Sequence, residues 1–258
     1  MGTFVRIKVT GPGAASLADA AVAEIQRLDR LFNRFDKSSE ISRINILAGR
    51  SAVRVSPDTL KIIELAVKFN RLSEGAFDIT LGKPQALIID EKRQTMFLND
   101  RKAKLDLGGI GKGYAVEAAR ELLLKRGAKS GMIDMHSSLA VFGPRTWRIG
   151  VQHPRRRAEL LGIVELKAGE SLSTSGDYEQ GKHIIDPRTG RPAAEVEAVT
   201  LIGRQAAELD ALSTAIFVLG PDRGLRLLKT WPGRKGLIVD DRGRISQTTD
   251  FRMLTNQD

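Results

Sequence analysis

Lys104-Leu105-Asp106-Leu107-Gly108-Gly109-Ile110-Gly111-Lys112-Gly113-Tyr114 places apolar residues around an aspartate, then a glycine cluster, then a lysine where an amphipathic segment begins. The order spells a strand, a turn and a helix start. Glycine removes the Cβ that would hold a ligand away, a helix N-terminus offers unpaired N–H groups, and Lys112 adds a positive charge. The stretch therefore suits a phosphate-bearing, nucleotide-type ligand. On these residues alone the plainer alternative stays open, a glycine turn that only lets a helix pack on a strand. Two common phosphate loops are excluded by spacing. A Walker A loop ends in Gly-Lys-Ser/Thr, whereas Gly111-Lys112 leads to Gly113 and Asp106 stands where the first glycine belongs. The G-x-G-x-x-G pattern fails as well, because its last glycine falls on Tyr114 or Val116.

Outward from this stretch the apolar periodicity assigns the neighbouring elements. Gly113 to Arg126 predicts a helix with Val116, Ala119 and Leu123 inward and Gly127 at its end. Upstream, Phe4 to Val9 alternates as a strand, and Ser16 to Phe32 is a helix with Leu17, Ala21, Ile25, Leu28 and Phe32 on one face. Ser56-Pro57 caps a helix carrying Leu60, Ile63, Val67 and Phe69 inward and ending near Gly75. Leu87–Asp90, Thr95–Leu98 and Lys104–Leu107 read as short strands. Downstream, strands are expected at Met132–Met135, Leu139–Phe142, Trp147–Val151, Leu161–Leu166, Leu172–Ser175, Val199–Ile202, Gly236–Val239 and Ile245–Gln247. A helix covers Ala206 to Leu219 and a shorter one follows Pro221-Asp222. Helices interspersed with runs of strands predict an α+β fold, with mixed or antiparallel sheets flanked by helices, rather than regular βαβ winding.

The chain has 258 residues, enough for ample core, with 41% hydrophobic and 28% charged residues, ordinary for a globular protein. The most apolar run, Leu209–Leu219, is interrupted by Asp210, Ser213 and Thr214, so no membrane span is expected. There are no cysteines, which removes disulfides, thiolate metal sites and cysteine nucleophiles. The net charge of +10 favours anionic partners. Nucleic acid is not expected among them, because the basic residues are spread out and no recognition motif or aromatic pair accompanies them.

Asp210 and Thr214 lie four apart in the Leu209–Leu219 helix and project from one face, with Leu209, Leu212 and Ile216 on the others. A carboxylate and a hydroxyl in an apolar helix suit a hard cation such as Mg2+, which takes a few protein oxygens plus water and substrate phosphates. A dipole-favoured aspartate and a threonine bonding back to a carbonyl would look the same. Ser173-Thr174-Ser175-Gly176-Asp177-Tyr178 and His183-Ile184-Ile185-Asp186-Pro187-Arg188-Thr189-Gly190 form a second polar region. His183 there could act as acid, base or phosphate partner, or belong to a simple polar hairpin. Gly75-Ala76-Phe77-Asp78 is either a helix stop or a backbone platform for a planar ring.

Taken in order, these segments resemble the ApbE-type FAD:protein FMN transferases. Met1-Gly2-Thr3, Ser39-Glu40-Ile41-Ser42-Arg43-Ile44-Asn45, Gly75-Ala76-Phe77-Asp78 and Asp106–Tyr114 are each similar to a family motif. So are Thr174–Tyr178, His183–Pro187 and Asp210-Ala211-Leu212-Ser213-Thr214, and the likeness spans nearly the whole chain. The resemblance implies a T-fold-related α+β unit over residues 1–258 that holds FAD in a cleft. It implies Mg2+-dependent transfer of FMN from FAD to a Thr or Ser hydroxyl of an acceptor flavoprotein, with release of AMP. By motif position Met1, Phe35, Ala76, Phe77, Asp78, Asp106, Lys112 and Ile184 would surround FAD. The Gly109 carbonyl, Asp210, Ser213 and Thr214 would hold the metal. Lys112 would stabilise developing negative charge, and His183 is the candidate to deprotonate the incoming hydroxyl or contact phosphate.

The chain departs from the pattern at three places. His136-Ser137-Ser138 stands for the usual Gly-Gly-Asp, Glu117 for an aspartate, and Phe35 for an aromatic hydroxyl. The connection from Thr80 to Asp106 is also short for the family. An alternative reading is therefore a relative that binds FAD, or hydrolyses it to FMN and AMP, without modifying a protein. Family members are often exported, whereas this chain starts at the first strand, so it either works inside the cell or has lost a leader. The identity of the acceptor and the oligomeric state are not legible in the sequence.

Overall fold

Along the strands at 130–134, 138–142, 196–203 and 235–240 the buried residues alternate between two separate apolar clusters, which makes the main sheet the middle layer. The computed structural model describes residues 2–156, 158–176 and 183–254. Its strands are β1 (Arg6–Thr10), β2 (Val53–Arg54), β3 (Leu87–Asp90), β4 (Thr95–Leu98), β5 (Ser130–Asp134), β6 (Ser138–Phe142) and β7 (Trp147–Gln152). They continue with β8 (Leu160–Leu166), β9 (Ser171–Gly176), β10 (Ile185–Asp186), β11 (Arg191–Pro192), β12 (Val196–Gly203), β13 (Lys235–Asp240) and β14 (Ile245–Gln247). The helices are α1 (Ala14–Phe32), α2 (Glu40–Ile46), α3 (Pro57–Leu72), α4 (Gly111–Lys125), α5 (Ala206–Leu219) and α6 (Pro221–Lys229). Among the described residues no helix is long and apolar enough to cross a membrane.

The main sheet has the order β1-β5-β6-β9-β12-β13-β14, and every neighbouring pair is antiparallel. Ile133, Ala140, Phe142, Val199, Leu201 and Ile238 face the helices. Met132, Leu139, Val141, Ala198, Ile202, Leu237 and Val239 face the other way, onto Trp147, Val151, Val164 and Leu166 of the β7–β8 ribbon. Covering both faces explains why β6 and β13 read as nearly continuous apolar runs rather than a clean in–out alternation. A smaller sheet, β2-β4-β3, lies apart from this layer.

Helix α1 buries Leu17, Ala21, Ile25, Leu28 and Phe32, as the spacing predicts. Helix α3 turns its buried face slightly from the expected one, onto Thr59, Ile62, Ile63, Ala66 and Phe69, leaving Leu60 and Val67 half-buried. The strand expected at Lys104–Leu107 does not form. Its backbone pairs with no ladder, because Leu105 N–H and C=O are both taken by the Asn45 side chain and Asp106 N–H donates to Ile79 O. Helix α2 has no counterpart in the periodicity reading. It arises from local capping: Ser39 Oγ accepts from Ser42 N–H, while Glu40 accepts from both the backbone and hydroxyl of Ser56, the cap of α3.

Candidate functional site

Gly109 is where three distant segments meet. A Cβ built there would lie 3.1 Å from the Phe77 ring and 3.1 Å from Thr214 Oγ1. The glycine turn, the Gly75–Asp78 segment and α5 therefore touch at one point. Two residues further on, α4 begins, and Gly113 in its first turn donates its N–H to Asp210 Oδ2 at 2.8 Å. The approach is close enough that a Cβ on Gly113 would fall 2.3 Å from Ala206 O.

Asp210 is only 3% exposed, and among the described residues no lysine or arginine pairs with it. Its second oxygen accepts from Ser173 Oγ at 3.3 Å. Ser213 and Thr214 hydroxyls donate back to the Asp210 carbonyl at 3.0 and 3.1 Å, the local bonding that competes with a ligand role. Ser175 Oγ sits 2.8 Å from Ser213 Oγ and 3.3 Å from Thr214 Oγ1, extending the cluster across the sheet. The sequence marks Ser173 and Ser175 as part of a polar region but assigns them no role in the site. The signal was present in Ser171, Ser173 and Ser175, which share one face of a strand by its two-residue period.

The altered segment His136-Ser137-Ser138 borders this cluster. His136 adopts φ +69°, the left-handed shape that glycine takes readily, so the turn persists without its glycine. The His136 ring meets Phe4 edge-on, and Ser137 O accepts from Thr174 N–H. Ser138, fully buried, places its hydroxyl 3.5 Å from Ser173 Oγ. The carboxylate of the family pattern is thus replaced by one more hydroxyl in the ladder.

Asp106 accepts from Gly108 N–H on one oxygen, and its other oxygen lies 3.3 Å from the Arg34 guanidinium. Arg34 in turn stacks over Phe35, which is 81% exposed. Lys112, half-buried, reaches back toward Gly108 O at 3.4 Å. The segment bearing Asp106 depends on Asn45, whose amide both donates to and accepts from Leu105. Replacing Asn45 with alanine orphans two polar groups beside a buried leucine, at about 2–4 kcal/mol. Calorimetry should show a melting temperature lower by roughly 4–16 °C. Asn45→Asp should lose stability too, since a carboxylate cannot donate to Leu105 O; two wild-type melting curves would disprove this bracing role.

Ala76 and Phe77 are buried, and Asp78 closes its own loop by accepting from Thr80 and Gly82. Asp78 also borders a cavity of about 320 Å3 together with Asn70, Arg71 and Thr80. The loop lies under the 183–188 segment, since a Cβ on Gly82 would meet Pro187 O at 2.6 Å. There Arg188 grips Asp186 with two nitrogens and holds its carboxyl below the usual range. Ile184 packs half-buried against the main core, and His183 is exposed. Met1, Asp177 and Tyr178 lie outside the described residues.

No group of three His, Cys, Asp or Glu able to hold a metal occurs among the described residues. What the site offers is one buried carboxylate and neighbouring hydroxyls, all hard oxygen donors. That set fits Mg2+, which commonly takes one or two carboxylates plus water and phosphate oxygens. It does not suit a soft or strongly nitrogen-seeking ion.

Known proteins resemble the chain over most of its length. The sequence profile of the ApbE family matches residues 1–88 and 83–238. A protein of Klebsiella pneumoniae (strain 342) named FAD:protein FMN transferase is 28% identical, over 89% of this chain and 83% of its own length. One of the same name from Vibrio cholerae is 29% identical, over 87% of this chain and 81% of its own. Among solved structures, the ApbE protein of Thermotoga maritima superposes with a TM-score of 0.88 at 30% identity, covering 96% of this chain and 94% of that one. The apo flavinyl transferase ApbE of Pseudomonas stutzeri gives a TM-score of 0.83 at 26% identity, covering 96% and 91%.

Proposed function

The chain belongs to the ApbE family, and from that premise we propose that it works as one domain, a Mg2+-dependent FAD:protein FMN transferase. The observation that carries the reading is the meeting of Phe77, Gly109 and Thr214 beside a buried Asp210 that pairs with no lysine or arginine among the described residues. Three segments far apart in sequence thus frame one oxygen-rich spot next to a helix N-terminus, where a pyrophosphate is favoured.

FAD would lie against Phe35, Ala76, Phe77, Asp78, Asp106 and Ile184, with Met1 completing the set. Asp210, Thr214, Ser213 and the Gly109 carbonyl would hold Mg2+, which when bound neutralises pyrophosphate charge. Lys112 supplies a further positive charge where the AMP leaving group becomes anionic. The acceptor oxygen bonds to the phosphorus of the FMN half as the bond to the AMP phosphate breaks, and the acceptor proton passes to a base, for which His183 is the candidate. The acceptor is a flavoprotein with an exposed Thr or Ser.

Mass spectrometry tests the reading: incubation with FAD, Mg2+ and a flavoprotein bearing an exposed Thr or Ser should add the mass of FMN to the acceptor. AMP and FMN appearing with no adduct would instead support hydrolysis. FAD left intact across acceptors, with Mg2+ present, would defeat both.

A further inference from the structure

Helices α4 and α5 cap one another. Gly113, in the first turn of α4, donates its N–H to Asp210 Oδ2 at 2.8 Å. Four residues along, Glu117 Oε2 accepts the N–H of Ala207, in the first turn of α5, at 3.1 Å. Neither helix has a side-chain cap of its own, because Ile110 and Gln205 make none. Each carboxylate thus satisfies an orphan donor of the opposite helix.

Between these two ties the helices approach closely. Gly113 has no side chain, so the backbone of Ala206 and the Asp210 side chain close directly onto the start of α4. Helix α4 is fixed to the sheet by Arg120, which donates to Gly169 O, Ser171 Oγ and Arg204 O. The Gly113 and Glu117 bonds tie α5 to α4 at this end, while the Ser173 and Ser175 hydroxyls tie it to β9. Asp210 lies one turn beyond Ala207, so a slip at Ala207 carries directly to its carboxylate.

We propose that Glu117 is a positioning residue for the Asp210 carboxylate, holding α5 in the register that presents Asp210 to a divalent cation. The proposal rests on the reading of Asp210 as a Mg2+ ligand. Burial holds the Glu117 carboxyl above its ordinary range, in keeping with its place between the helices. Glu117 also lines a groove of about 650 Å3 with Asp58, Lys61 and Glu121, but its carboxylate is engaged with Ala207.

Titration calorimetry of the FAD-loaded protein with Mg2+ tests this, using wild type, Glu117→Gln and Glu117→Ala, with metal-free FAD affinity read by flavin fluorescence. The alanine variant should bind Mg2+ about 10–100-fold more weakly, the usual loss when a group orienting a metal ligand is removed. The glutamine variant keeps an oxygen acceptor at the same reach and should stay near wild type, and metal-free FAD affinity should not change. Glu117→Met, similar in length but without an oxygen acceptor, gives a second weakened variant should alanine not fold. Wild-type Mg2+ affinity in the alanine or methionine variant overturns the proposal. So does a parallel loss of metal-free FAD affinity, which would mark a general structural role. If wild type itself takes up no Mg2+ with FAD, the ligand reading of Asp210 fails and the proposal with it.

Discussion

Replacing Asp210 with asparagine should cut flavin transfer on the order of 10³-fold, about 4 kcal/mol of transition-state stabilisation, while making the metal-free protein more stable. The two halves share one cause. Asp210 is a buried carboxylate with hydrogen bonds but no cation partner among the described residues. Such a charge is costly to bury, and is retained where a bound cation can use it. Asparagine keeps an oxygen for the Gly113 N–H and offers an amide N–H to Ser173 Oγ, so the local bonding survives without the charge. The metal-free melting temperature should rise by roughly 2–4 °C for each kcal/mol regained. Asp210→Ala tests the other limit, losing activity and stability together because Gly113 N–H is left without its acceptor. Wild-type transfer rates in the asparagine variant at equal Mg2+ would remove Asp210 from the metal site.

Gly113→Ala should destabilise the protein by about 2 kcal/mol or more, even though alanine is the better helix former by about 1 kcal/mol. The added Cβ would fall 2.3 Å from Ala206 O and 2.7 Å from Asp210 Cβ, both carried by the opposing helix rather than by a flexible tip. Relief requires α5 to move away, which stretches the Asp210 and Glu117 hydrogen bonds at once. A melting temperature lower by roughly 4–8 °C follows, with transfer activity lost beyond what unfolding explains. Gly111→Ala, two residues earlier in the same helix, is the control. Its Cβ would meet nothing nearer than Leu107 Cβ at 4.0 Å, so stability should hold or rise slightly. Equal melting points for the two variants would refute the close-contact argument.

Much of the secondary structure was legible because its causes are local. The three- and four-residue spacing of Leu17, Ala21, Ile25, Leu28 and Phe32 predicts α1 and its buried face, and Ser56-Pro57 marks the start of α3. Lys104–Leu107 failed as a strand for a non-local reason. Its apolar pattern is strand-like, but its backbone partner is the amide of Asn45, 60 residues away from Leu105. Ser39–Asn45 read as a motif and not as a helix, because capping by Ser39 and Glu40 outweighs a weak apolar period.

For the site, the sequence by itself determined the chemical parts: a glycine turn that admits close approach, a lysine at a helix start, and a carboxylate with hydroxyls on one helix face. Residue type and short spacing suffice for these, because they concern one turn of backbone at a time. Only the tertiary structure decided which parts share a site. It pressed Phe77 and Thr214 against Gly109, buried Asp210 with no basic side chain paired to it among the described residues, and lined β9 serines against α5. It also made Gly113, read in the sequence as the start of a helix, the contact that sets the distance between α4 and α5. Those relations depend on how helices and strands distant in the chain pack, and short-range periodicity carries no record of that.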